Sequence, residues 1–219
     1  MSVALITVFL IVIIGLPIGL ASGYFGGTLD FLLMRLIDAM LALPDLLFVI
    51  ILTTYLNAAL PRATGGPPSL LVGLNDATGG LVGVIISLAL FGWLSLCRLS
   101  RGAVLALRGR DYVFAARAAG AGHGRIVRHH LLPNALAPII IMIALLVPNF
   151  IIAEAGLSFI GLGVQPPQPS WGTMIAEGVA AIRAHPHLTV APGLAISITL
   201  LACNFVGDGL RDALDPAMH

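Results

Sequence analysis

Apolar residues in this chain come in long uninterrupted runs, with polar residues gathered between them. Val3–Ala21 carries no charged residue over close to the roughly 20 residues that a membrane-spanning helix needs. A second span is predicted to begin near Phe31 and to continue past Pro44 through the apolar run Leu46–Leu60. Leu81–Cys97 is the third run, closed by Arg98 and Arg101. Ala135–Gly163 is the fourth and is too long for one straight crossing; Pro148 is placed to bend it, and Gly156, Gly161 and Gly163 to break its far end. Leu188–Val206 is the fifth. The pattern predicts an all-α, polytopic helical membrane protein of about five spanning helices, with residues 1–219 forming a single transmembrane domain.

The intervening segments read as connections. Gly23–Asp30 is a glycine-rich turn, Asn57–Gly80 a loop rich in proline and glycine, and Val164–His187 a loop stiffened by Pro166, Pro167 and Pro169, with Trp171 suited to the interface. Asp208–His219 is a short charged tail. Gly15, Gly19 and Gly23 repeat every four residues, which sets three positions without side chains on one stripe for close helix packing, and Pro17 lies where it can kink the first span. Because no cation precedes Val3, the first run is expected to span rather than to act as a signal peptide.

The exception to the apolar text is residues 110–134, RDYVFAARAAGAGHGRIVRHHLLPN, a polar island that cannot cross a bilayer. Tyr112, Ala115, Ala116 and Ala119 fall on one helix face, with Asp111 placed to cap the start and Gly120 to stop the helix. Gly122 and Gly124 supply a turn, after which a second short helix is predicted from about Arg125 to Leu132, ending before Pro133. Ala115, Ala116, Ala119 and Gly120 leave one side nearly flat, open to close approach by another protein's backbone.

Composition settles the class: 58% of residues are hydrophobic, 10% are charged and the mean hydropathy is +1.03, far from a soluble domain. All eleven cations are arginine, and seven of them lie between Arg98 and Arg128. That asymmetry places the Arg98–Asn134 segment in the cytoplasm, the flanking loops outside, the N-terminus outside and the C-terminus inside. A net charge of +1 with localised arginines gives no footprint for nucleic acid. The absence of lysine excludes a phosphate-binding loop and Schiff-base chemistry, so any ATP hydrolysis belongs to another subunit. No cofactor, metal site or catalytic residue is expected: Cys97 and Cys203 read as core filler, and His185 and His187 are two ligands short of a closed metal site.

The remaining charges have local readings. Arg35 and Asp38 stand three apart and can pair, and Asp45 beside Pro44 reads as a surface-depth acid stabilising a kink, the alternative being a residue that touches a transported solute. Glu154 is the single acid of the fourth run, so it faces the bundle or water, and either hydrogen bonding between helices or lining of a pathway accounts for it. A secondary transporter would show an inverted repeat and intramembrane ion sites, and none is visible. An intramembrane hydrolase would need more than Ser158 and a distant histidine, without a nucleophile elbow or an H-E-x-x-H motif.

The spacing Ala115-Ala116, Gly120 and Leu132-Pro133 resembles the EAA loop of the permease subunits of ABC importers, with Phe114 where Glu is usual and His130 where Ile is usual. Three further stretches resemble the dipeptide, oligopeptide and nickel branch of that family: Gly23–Gly27, Glu154 through Pro167 on to Ser170-Trp171-Gly172, and Gly207–Pro216. The resemblance implies a type I ABC importer transmembrane core. It implies an ATPase-coupling loop built on Ala115, Ala116, Gly120, Leu132 and Pro133, with Glu154 as a candidate pathway or gate residue. The implied partners are a second permease subunit, two ATPase subunits and an extracytoplasmic solute-binding protein. The implied setting is the plasma membrane of a prokaryote, and the implied cargo a di- or oligopeptide, with nickel or another small solute as the alternative. Relatives in this branch carry a sixth helix ahead of the position of Val3, so the chain either starts late or begins inside a longer frame.

Overall fold

The computed structural model describes residues 1–59, 75, 81–164 and 168–214. Most of the expected loop over 57–80, residues 165–167 and the end of the tail lie outside the described residues. The described residues are helical throughout, without a strand. In order they form α1 (Ser2–Phe25), α2 (Gly27–Leu41), α3 (Asp45–Ala59), α4 (Leu81–Leu107) and α5 (Asp111–Ala118). There follow α6 (His123–Ile126), a π-turn over Val127–Leu131, α7 (Leu132–Phe159), α8 (Trp171–Ala180) and α9 (His187–Leu214).

Four helical stretches are long and apolar enough to cross a membrane, with mean hydropathies from 1.8 to 2.9, and α2 with α3 makes a fifth if the bent pair is one span. The expected second span is therefore not one helix: α2 and α3 meet at 86°. Pro44 has no N–H to donate and disfavours helical backbone in the residue before it, so the chain turns at 42–44 and Asp45 restarts the helix. The carboxylate of Asp45 accepts the Leu46 N–H at 2.7 Å, in keeping with an acid that stabilises the bend.

The stripe of small residues on α1 meets α4. A Cβ on Gly15 would stand 2.8 Å from the Trp93 carbonyl oxygen, one on Gly23 2.8 Å from that of Arg101, and one on Gly19 would overlap the Cys97 carbonyl and the Ser100 hydroxyl. Without side chains there, the two backbones lie close enough to bury Ile11, Leu94, Leu96 and Cys97 completely. Pro17 sits inside an unbroken α1.

Several boundaries differ from those expected. The turn after α1 narrows to Gly26 and Gly27, both at positive φ (65° and 63°), so α1 runs on to Phe25. The segment 164–187 holds a helix, α8, whose start is fixed by a capping box between Ser170 and Thr173. The tail is helical as far as Leu214. Helix continues through Pro133 from His123 to Phe159, because Pro133 falls in the first turn of α7 and the preceding π-turn accommodates its ring and missing N–H.

Arg35 and Asp38 do not pair with each other. Asp38 pairs with Arg98, and Asp30 takes a two-point contact from Arg101, one arm at 2.6 Å, while also accepting from the Ser22 hydroxyl. Arg35 instead lies over the Phe31 ring, 5.4 Å from its centre. Two ion pairs thus strap α2 to the arginine-bearing end of α4.

Candidate functional site

The 110–134 element is held to the bundle by one apolar seat. Val113 of α5, Ile126 of α6 and Leu131 of the π-turn are buried together with Leu20 and Tyr24 of α1 and Val104 of α4. Ala116, Ala121 and Leu132 pack on its edge. Of the predicted flat face, Ala116 thus turns toward the bundle, while Tyr112, Ala115, Ala119 and Gly120 remain exposed. Phe114, at the position of the usual Glu, is 55% exposed.

Asp111 does not cap α5. It is the first helical residue, Arg110 occupies the cap position, and no side chain closes that end. The other end is closed by backbone: Gly120 N–H donates to the Arg117 carbonyl at 2.9 Å and Ala121 N–H to that of Ala116 at 3.0 Å. This pair of bonds is the Schellman motif, and it requires the left-handed φ of 81° that Gly120 adopts. The Gly120 backbone lies in open space, with nothing within 4 Å of where a Cβ would sit. A substitution there would strain the turn and alter the outer surface without disturbing the bundle.

Polar bonds fasten the element to the end of α1. The Tyr24 hydroxyl and His123 Nδ1 share a hydrogen bond of 2.8 Å, the Arg117 guanidinium lies 5.4 Å over the Tyr24 ring, and Arg108 donates to the Gly23 carbonyl at 3.1 Å. These groups, with Phe25 and Phe114, line an open hollow of about 520 Å³. Pro133, in the first turn of α7, is exposed, so Ala115, Gly120 and Pro133 are outward while Ala116 and Leu132 belong to the seat.

Glu154 lies on α7 at the opposite end of the bundle and is only 7% exposed. Its carboxylate accepts the Ser158 hydroxyl hydrogen at 2.8 Å, and the Ser158 oxygen accepts the Val164 N–H at 3.1 Å. Of the two readings of Glu154, the hydrogen bonding is within α7 rather than between helices, extended to the segment that follows it. Glu154 also lines a cavity of about 300 Å³ with Leu81, Gln168, Ser170 and Trp171. There α8 presses on α7: a Cβ on Gly172 would overlap the Ala155 carbonyl, which accounts for a residue of the Ser170-Trp171-Gly172 run. His185 and His187 face each other at 5.8 Å between ring centres, exposed, and no group of three or more metal-ligating side chains occurs among the described residues.

The ion pairs to Asp30 and Asp38 were not anticipated, since their partners are 71 and 60 residues away in sequence. A signal was present: two acids eight residues apart on one amphipathic segment, and two arginines three apart at the end of a span.

Residues 15–219 match the family described as the binding-protein-dependent transport system inner membrane component. Curated relatives include the dipeptide transport system permease protein DppC of Alkalihalophilus pseudofirmus, 38% identical over 94% of this chain and 61% of that protein. The oligopeptide transport system permease protein OppC of Bacillus subtilis is 39% identical over the same shares. The glutathione transport system permease protein GsiD of Pectobacterium atrosepticum is 34% identical over 100% of this chain and 65% of that protein. The chain spans about three-fifths of the length of the curated relatives it matches. With its membrane-crossing helices and a match over nearly its whole length, the chain belongs to the family of binding-protein-dependent transport system inner membrane components, multi-pass proteins of the bacterial cytoplasmic membrane.

Proposed function

We propose that this chain is a permease subunit of an ATP-driven ABC importer for di- or oligopeptides, supplying half of a translocation path beside a second, similar permease. Two ATPase subunits bind and hydrolyse ATP in the cytoplasm, and an extracytoplasmic solute-binding protein delivers cargo. The chain itself is not an enzyme. In this reading the 110–134 element sits in a groove on one ATPase. Closure of the ATPase dimer moves the element, and α1 and α4 move with it, because Val113, Ile126 and Leu131 are buried against them.

The observation that carries the proposal is the split character of the 110–134 element: one face locked into the bundle, the other exposed, with Ala115, Ala119 and Gly120 lying beside Tyr112 and Phe114. Such an element transmits a push without deforming. The peptide assignment draws on relatives named for dipeptides, oligopeptides and glutathione.

Gly120→Asp tests the proposal. It forces a side chain into a left-handed position, at roughly 1–2 kcal/mol, and sets a charge on the docking face. Uptake of a labelled dipeptide is expected to fall at least about tenfold, with loss of co-purifying ATPase or of cargo-stimulated ATP hydrolysis, while this chain still inserts in the membrane. Wild-type uptake and co-purification in Gly120→Asp would refute the coupling role. Nickel uptake by wild-type complex that ignores dipeptides would replace the cargo.

A further inference from the structure

A second membrane carboxylate is unlike Glu154. Asp45 opens α3, and the far end of that helix packs on α4: a Cβ on Gly83 would meet Leu56 and Asn57. At the other end of the same pair, Asp45 and Ser95 line one cavity of about 320 Å³, joined by Asn149 from α7. Asp45 precedes Asn57 by as many residues as Ser95 follows Gly83, so the two antiparallel helices carry both groups about 18 Å below that contact. Ser95 stands one turn before Arg98, so the cavity lies toward the arginine-bearing end of the bundle.

All three side chains are exposed. Asp45 makes no ion pair among the described residues, its one side-chain bond being to its own helix start. Arg98, one turn further along α4, is already taken by Asp38. The rest of the cavity is apolar, with Leu46, Phe91 and Phe150 in its wall. With its carboxylate unpaired and the wall apolar, the cavity presents one isolated negative charge, flanked by two neutral polar groups, to whatever enters it.

We propose that Asp45, Ser95 and Asn149 form a subsite of the translocation path that receives the protonated amino terminus of a short peptide. This rests on the peptide-importer reading above. The carboxylate supplies the countercharge to an ammonium group. The Ser95 hydroxyl and the Asn149 amide each donate and accept, which suits them to an adjoining peptide bond. The apolar wall accepts side chains without selecting among them, and the volume lies within the roughly 300–1,000 Å³ of small-molecule sites.

Charge-selective thiol labelling tests the subsite in the assembled complex. Ser95→Cys is placed in a chain with Cys97 and Cys203 replaced by alanine, and membrane vesicles of both orientations receive a trimethylammonium-ethyl or a sulfonato-ethyl methanethiosulfonate. The cationic reagent is expected to react about tenfold faster than the anionic one, relative to their rates with a free thiol, as one nearby negative charge dictates. Adding Asp45→Asn should abolish that preference, and a dipeptide with a free amino terminus should slow the cationic reaction where its N-acetylated form does not. An unreactive Ser95→Cys would mean that lipid or protein covers the face and would overturn the proposal. So would a preference unchanged by Asp45→Asn, or a preference that the free dipeptide does not affect. If Asp45→Asn prevents assembly, Asn149→Leu takes its place, with loss of dipeptide protection as the expected result and retained protection as the overturning one. Dipeptide uptake by the wild-type complex is measured in parallel: its absence refutes the importer reading itself, whereas uptake without protection at Ser95→Cys refutes only the subsite.

Discussion

The α1–α4 pair and α9 are built from similarly apolar text but end in opposite situations. Their mean hydropathies are 2.9, 2.0 and 1.8, yet 44% and 61% of the most apolar windows of α1 and α4 are buried, against 11% for α9. Only Pro192 and Gly207 of α9 are buried. Hydropathy therefore marks which segments leave water, and says little about which of them join. Inside a bilayer, lipid tails are as apolar as leucine, so helices associate where backbones come close enough for dense packing and polar bonds. Gly15, Gly19 and Gly23 permit that on α1, and the Ser22–Asp30–Arg101 contact closes its end. The 110–134 element is seated on this welded pair, while α9 presents Leu194, Ile198, Leu201 and Phe205 outward.

Breaking the weld should have the largest effect. Gly19→Ala puts a methyl group into the Cys97 carbonyl and the Ser100 hydroxyl, and overpacking of this kind costs on the order of 1–3 kcal/mol. Thermal unfolding in detergent should show a clear drop in stability. Gly193→Ala on α9, where nothing lies within 4 Å of a new Cβ, should leave stability within about 1 kcal/mol of wild type or raise it slightly through helix propensity. Equal losses in both variants would break the comparison.

Glu154→Gln is expected to be intermediate. The amide keeps the size of the group and its bond to Ser158 and removes the charge facing the cavity beside Trp171. If that cavity belongs to the path, dipeptide uptake falls several-fold in a complex that assembles normally. Normal uptake would assign Glu154 to holding the Ser158–Val164 turn, and failed assembly would assign it to packing.

The smallest change is expected from Tyr24→Phe. The ring remains under Arg117, but the bond to His123 is lost, at roughly 1 kcal/mol. Amide hydrogen exchange should rise over residues 120–126 and stay unchanged in α9. A rise spread over the whole chain would show that the 110–134 element is not a separately fastened body.

Much of this arrangement was legible in advance, for reasons of range. The number of membrane runs, the polar island, the stop at Gly120 and the glycine stripe all depend on neighbours within a turn or two, so spacing alone reveals them. The misread points were decided between segments. Arg35 and Asp38 are neighbours on one helix, but Arg98 and Arg101 approach from another and Asp38 takes the former. Asp111 looked like a cap but is the first helical residue, with Arg110 at the cap position. The run through Pro44 looked continuous, and the missing N–H of one proline, with an acid beside it, turned it by 86°.

By itself, the sequence determined a helical membrane protein of about five spans, its arginine-rich end and the residues of its outward element, because hydropathy, charge asymmetry and glycine backbone freedom act locally. Tertiary structure alone decided that Ala116 faces inward while Ala115 faces out, that Glu154 bonds within its own helix, and that Asp45, Ser95 and Asn149 meet in one cavity. These outcomes depend on the rotation and depth at which helices pack, which depth-blind spacing along one chain does not encode.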